Sequence, residues 1–341
     1  MMSILKELEA LCALDGISGD EGSVRGYILS RIEDKCDVTI DPLGNIIAFC
    51  KGRNKTDKKL MISAHMDEVG FIVTYVTDDG YLKLSPVGGI DPRVLFGKRV
   101  YVGDKKIVGV VGGKVLHHLE GKEKSRAVPF EKLYIDIGAD SKAQALEYVS
   151  LGDSVCFENE SFDMGSLLCA KAIDDRAGCA VMIDMINEGV EYDTFFTFVV
   201  QEEIGLRGSA AAAFTVAPDY ALVLEATTAS DIPSASGDKR VCELSKGAVV
   251  TFMDRSTMYD KELYKLAFDI GKEQGIPVQT KTMVAGGNDA GAIHKSRGGV
   301  RTLAVSVPCR YLHSPVCVID KEDLNSVGRL TREMSKRIFK L

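Results

Sequence analysis

Two glutamates stand side by side at the end of an apolar run in TFFTFVVQEEIGLRGS, residues 194–209. Phe195, Phe196, Phe198, Val199 and Val200 read as a buried strand. A carboxylate beside such a run is costly to desolvate unless a positive charge meets it. The arrangement recurs along the chain. His65 and Asp67 follow LMISA, Glu225 follows DYALVL, and His313 follows TLAVSVPCRY. Asp174 and Asp175 open a helix in AIDDRAG. Singly, each is explained as a solvated turn or a helix N-cap. Together they bring two imidazoles and several carboxylates to equivalent strand ends, the rim on which sites form in open α/β sheets. Carboxylates gathered there repel one another without cations, and metal ions are the economical remedy.

Two histidines and three carboxylates, one of them bridging, suit a pair of borderline divalent ions. Zn²⁺, Co²⁺ and Mn²⁺ all accept this nitrogen and oxygen set. Such a pair activates a bridging water and polarises a carbonyl. A general base must then take the water's proton, and adjacent glutamates suit a division into one ligand and one base.

The elements that must position these groups fall into three stretches. Residues 3–34 read as two helices broken at DGISGDEG, with Ser18 or Asp20 as N-cap. The strands CDVTID, IIAFCKG and LMISA follow. From about 70 to 160 the texture is that of short strands, with a DDG hairpin turn in GFIVTYVTDDGYLKLSPV and a polar loop at HHLEGKEKSRAVP. This is an all-β insertion, a small barrel. From about 165 helices and strands alternate up to the closing amphipathic helix DKEDLNSVGRLTREMSKRIFKL. In that stretch a helix is expected over TMYDKELYKLAFDIGKEQG, and others over RGSAAAAFTV and DAGAIHKSR. Alternation of this kind gives an α/β sheet with helices on both faces.

Bulk properties narrow the classes. The 341 residues suffice for one large or two ordinary domains. A net charge of −7 with no basic block argues against a nucleic-acid binder. No apolar run approaches the roughly 18–20 residues of a membrane span. MMSILKELEALCAL carries Lys6, Glu7 and Glu9 on an amphipathic helix pattern and does not read as a signal peptide, which places the protein in the cytoplasm. Nine scattered cysteines without a CxxC pair argue for buried free thiols, and against a disulfide scaffold or a thiolate zinc site.

AHMDEVGF, AIDDRAG, QEEIGLRG, GGNDAGAIH and RYLHSP together resemble the cytoplasmic dinuclear-metal aminopeptidases of the tetrahedral (TET) type. That family includes glutamyl and deblocking aminopeptidases and members labelled cellulase M. The resemblance runs almost end to end. It implies a zinc-peptidase-like α/β domain with a mixed sheet, formed by residues 1–68 and 161–341, and a β domain at 69–160 that pairs subunits. It implies that His65 binds one metal, that Asp174 bridges both, and that Glu203 and His313 bind the other. Glu202 becomes the general base, and Asp67 the group that holds His65. Glu225 takes the place of a family Asp that binds metal, Asn288 that of a Thr, and Cys317 that of an acidic residue. The peptide between Asp174 and Asp175 is expected to be cis, as in related enzymes. Substrates are peptides with free N-termini, and dimers assemble into a hollow tetrahedral dodecamer.

Other histidines and glycines read differently. His117 and His118 face solvent from the polar loop, and His294 is structural. Gly286 and Gly287 allow close approach of a substrate. The rival chemistries are a small-molecule deacylase, which shares the metal motifs, and glycoside hydrolysis. The second fits poorly, because consecutive strand residues point to opposite faces and the chain has no Trp for sugar stacking.

Overall fold

A computed structural model describes residues 2–118, 121, 127–159 and 161–341, so most of the HHLEGKEKSRAVP loop lies outside the described residues. Its body is an eight-stranded mixed sheet. The strand Leu60–His65 lies at the centre, parallel to Thr194–Val199 on one side and to Tyr220–Thr228 on the other. Arg301–Cys309 continues the parallel set beyond Tyr220–Thr228. Antiparallel strands flank it: Ile46–Cys50 beside Thr194–Val199, and Ala248–Val250 beside Arg301–Cys309. All six residues of Leu60–His65 are buried, as a strand covered on both faces requires. The parallel direction sends His65, the turn after Val199, Glu225 and the loop after Cys309 to one rim.

Helix ends follow local chemistry. The helices Met2–Cys12 and Gly22–Ile32 confirm the break at DGISGDEG, but neither Ser18 nor Asp20 caps the second one. Glu21 occupies the cap position, and its carboxylate accepts from Gly19 N instead. The helix expected from Thr257 begins at Lys261, because Asp260 accepts from the backbone of Glu262 and Leu263. Gly275, at φ 61°, ends it. The helix Ile173–Glu188 runs beside the central strand, and Gly178 lets it approach closely. A Cβ there would meet Leu224 at 2.8 Å and Ala64 at 2.9 Å.

Between the two parts of the body, six antiparallel strands close a barrel. They run from Gly70–Val76 to Ser154–Phe157, with the hairpin turn at Asp79–Gly80 where the DDG signal lies. Phe71, Leu82, Val100, Val102, Ile135 and Phe157 fill its own apolar core. Lys106 pairs with Asp15 at 2.7 Å and Ser154 bonds Asp20, which ties the barrel to the loop between the first two helices.

The reading of all cysteines as free thiols needs correction. Cys36 and Cys50 form a disulfide. Asp37 pairs with Phe49 across an antiparallel ladder, so the flanking cysteines become neighbours, which spacing in sequence does not reveal. The other seven are buried free thiols.

Candidate metal centre

Each expected residue lies on the rim, and the backbone sets most of them. His65 closes its strand, and its Nδ1 donates to the carbonyl of Asp67 at 3.0 Å. This leaves Nε2 facing Glu225 Oε1 at 3.2 Å and Asp174 Oδ1 at 3.4 Å. His313 sits at φ 56° in the loop after Arg301–Cys309, and its Nδ1 donates to Gly89 O at 2.7 Å. Its Nε2 faces Glu203 Oε2 at 3.4 Å and Asp174 Oδ2 at 3.6 Å. Asp174 therefore presents one oxygen to each imidazole. Ligand atoms of His65, Asp174 and Glu225 lie within 4.8 Å of one another, as do those of Asp174, Glu203 and His313.

With Nδ1 donating to a carbonyl, each neutral imidazole turns a lone pair toward carboxylate oxygens. That contact is repulsive unless a proton or a cation lies between. Asp174 Oδ1 and Glu225 Oε2 are buried and lack a hydrogen-bond partner. Such a set fits divalent ions of the zinc, cobalt or manganese kind. The protonation equilibria say the same. Burial raises Glu225 and Glu202 well above the usual carboxylate range, and pushes Glu203 up to about 7 against the pull of His313. Burial opposes charge on His313, yet Asp174 and Glu203 push it up to about 10. Burial raises Asp174 as well, but His313 and His65 outweigh it and hold its carboxyl below the usual range. Protons here do what bound cations would do better.

Glu202 and Glu203 are not in a strand. Thr194–Val199 ends before them, and Gln201 turns the chain at φ 57°. Both carboxylates therefore reach the same centre as His65, within 4.8 Å, and the argument from opposite strand faces fails. Asp67 explains the turn. Its carboxylate accepts from Glu202 N at 3.0 Å, Glu203 N at 3.1 Å and Ser18 Oγ at 2.6 Å. It stands 3.5 Å from His65 Nδ1, whose partner is the Asp67 carbonyl. So Asp67 steadies the imidazole through its backbone and the glutamates through its side chain.

Sequence reasoning missed several supports. Glu21 accepts from Gln201 N at 3.2 Å, and Asn45 holds Val200 N and Gly208 O at 2.9 Å each. Below the rim, buried Lys171 bonds Asp15 and Glu68 at 2.8 Å each, and buried Arg176 donates to Met66 O at 2.7 Å. The one local hint was the cluster of polar residues in SGDEG, which lack partners in their own helix. Asp289, in GGNDAG, is buried without a hydrogen bond to either oxygen, and burial pushes its pKa up to about 6.

The remaining positions divide. The Asp174–Asp175 peptide is cis. His294 donates to Ala290 O at 2.7 Å, and His117 and His118 are exposed. Asn288 accepts from Ala290 N and donates to Tyr259, so its amide is spent inside the fold. Gly287 is crowded by Ser256, 2.9 Å from the place of a Cβ, which accounts for that glycine without a substrate. Cys317 is buried against a crevice shared with Asp174, Glu203 and His313.

A sequence profile described as M42 glutamyl aminopeptidase matches residues 44–330. The chain is 38% identical to a putative aminopeptidase of Acetivibrio thermocellus over 98% of each chain. The fold superposes on a Pyrococcus horikoshii TET1 peptidase with a TM-score of 0.86 at 33% identity, covering 98% of this chain and 99% of that one. That protein is described as assembling into a tetrahedron or a large octahedral shell. A Thermotoga maritima structure described as an endoglucanase matches at TM-score 0.81 and 38% identity over 98% of each chain.

Proposed function

Because the chain belongs to the M42 glutamyl aminopeptidase family and is a metal-dependent aminopeptidase, we propose that it releases N-terminal residues from peptides at a dinuclear centre. His65 and Glu225 would hold one ion, Glu203 and His313 the other, and Asp174 both. The observation that supports this best is the division of Asp174, with Oδ1 3.4 Å from one imidazole and Oδ2 3.6 Å from the other. Glu225, in place of a shorter Asp, still reaches to 3.2 Å from His65 Nε2. Zinc or cobalt suits the donor set, and manganese fits it too.

When bound, the ions polarise the scissile carbonyl and acidify water. The free α-amine of the substrate would lie near the metals and the acidic residues of the rim. Glu202 accepts the proton of the attacking water and returns it to the leaving amine. Asp67 keeps Glu202 and Glu203 in place through their N–H groups.

We take residues 1–68 and 161–341 as the catalytic domain and 69–160 as an inserted pairing domain. Exposed Val108, Leu146, Tyr148 and Leu151 on the inserted segment support a subunit contact there. The shell described for the Pyrococcus horikoshii relative supports dimers building a tetrahedral dodecamer. Sedimentation as a monomer under native conditions would remove that part. Among the described residues no helix is long and apolar enough to cross a membrane. Seven free thiols suit a reducing cytoplasm, and the Cys36–Cys50 disulfide argues the other way.

The testing experiment is release of N-terminal residues from free and N-acetylated peptides, after EDTA and again with Zn²⁺, Co²⁺ or Mn²⁺. Metal-restored cleavage of free-amine peptides alone is the expected result. Cleavage of acetylated substrates would point to a deacylase. The endoglucanase reading gains from the convergence of Glu202 and Glu203, so cellulose belongs in the panel. Reducing sugar released after EDTA would establish it.

A further inference from the structure

An enzyme that removes one residue at a time needs a closed end for the α-amine and an open path for the rest of the chain. This inference rests on the aminopeptidase reading above. The two ends of the centre differ as required. His65 is 1% exposed and Glu225 7%, whereas the His313 side chain is 38% exposed. From His313 a cleft of about 680 Å³ runs between the segment 89–98 and the loop 311–316. That volume lies within the range of ligand sites, about 300–1,000 Å³. Phe96 and Tyr311 line it and stand 53% and 55% exposed, apolar surface left open beside a reactive centre.

The charges along this cleft do not cancel. Arg93 donates to Asp91 at 2.7 Å, so these two neutralise each other. Lys98 lines the same wall half-buried, and among the described residues its ammonium has no ion pair or hydrogen bond. The cleft is thus cationic on a chain of net charge −7. A peptide that enters with its N-terminus at the metals would lay its following residues along Phe96 and Tyr311 and bring any carboxylate toward Lys98.

We propose that this cleft receives the substrate downstream of the scissile bond, and that Lys98 favours peptides bearing a carboxylate there. The carboxylate can belong to the C-terminus of a short peptide or to an acidic side chain. The test uses the metal-loaded enzyme and the N-terminal residue that it prefers, X, established with X-anilide. Matched substrates are X-Gly-Gly as acid and as amide, and X-Gly-Glu-amide against X-Gly-Gln-amide. The expected result is a preference of about fivefold in kcat/KM for a carboxylate, carried by KM and reduced by salt. In Lys98→Ala the ratio falls toward one, and in Lys98→Glu it inverts. A preference confined to the first pair identifies the terminus, and one confined to the second identifies the side chain. Turnover of X-anilide with no carboxylate preference, or a preference that survives in Lys98→Ala, overturns the proposal alone. No turnover on any substrate overturns the aminopeptidase reading and this proposal with it.

Discussion

The barrel and the sheet body solve the problem of burial in opposite ways. Among the described residues from 70 to 157, every buried side chain is apolar. The body buries Lys171, Arg176, Asp67, Glu68, Asp174, Asp175 and Glu225 as well as its hydrophobic core. Apolar packing is non-directional, so the barrel needs size and patterning more than particular partners. Buried charges need partners at set distances, and removing one partner strands the other. The difference marks where this fold carries function. The body supplies the buried charges of the rim, and the inserted segment reaches it through a backbone oxygen, that of Gly89 on His313 Nδ1.

The comparison can be tested by variants that strain each region. The largest effect is expected at Glu202. Glu202→Gln should lower kcat by at least about a thousandfold, as for loss of a general base, with metal content by mass spectrometry retained. Substantial residual turnover would remove Glu202 from that role. Next comes the ion network under the rim. Lys171→Met leaves Asp15 with Lys106 alone and buried Glu68 with only Arg176 at 3.5 Å, and should cost about 3 kcal/mol in urea unfolding. A change below about 1 kcal/mol would mean that the body tolerates stranded charge, and the contrast with the barrel would fall.

Ser18→Ala removes one of the two hydrogen bonds to Asp67 Oδ2, leaving that from Glu203 N, and should lower kcat about tenfold, in line with a lost hydrogen bond to a charged group. Ser18→Thr should recover most of it. In the barrel core, Ile135→Val should cost only about 1 kcal/mol with kcat unchanged.

The smallest effect is a slope with pH. Burial pushes Asp323 up to about 7 from an ordinary 3.8, although Gly247 and Ser245 donate to it. The folded state thus holds this proton more tightly than the unfolded chain. Its contribution is full below about pH 4 and is lost as pH rises through about 7. Melting curves across that window should show a decline in the wild type that is absent in Asp323→Asn.

Much of the rim was legible because an apolar run that stops at a charged residue marks a strand end in sequence. LMISA before His65 gave the strand end, whereas the strand of Glu225 runs on to Thr228 and carries that carboxylate to the rim from within it. The parts that escaped depend on contacts between distant segments. The turn at Gln201 is held by Glu21 and Asn45, 180 and 155 residues away from their partners at Gln201 and Val200. No local rule shows that the QEE tripeptide leaves its strand, and the same blindness hid the neighbours Cys36 and Cys50. His313 was found, but the carbonyl that aims it was not, since a backbone oxygen has no signature in sequence.

That carbonyl belongs to Gly89, inside the inserted segment, 224 residues before the ring it steers. The insertion is therefore no detachable accessory. A chain trimmed of it would retain all five side chains proposed to bind metal, yet would lack the oxygen that orients one imidazole. During synthesis the insertion precedes His313 by the whole second half of the body, so the guide is made long before the residue that it guides. On the proposed assignment the centre is complete only when His313, near the end of the chain, has met that carbonyl.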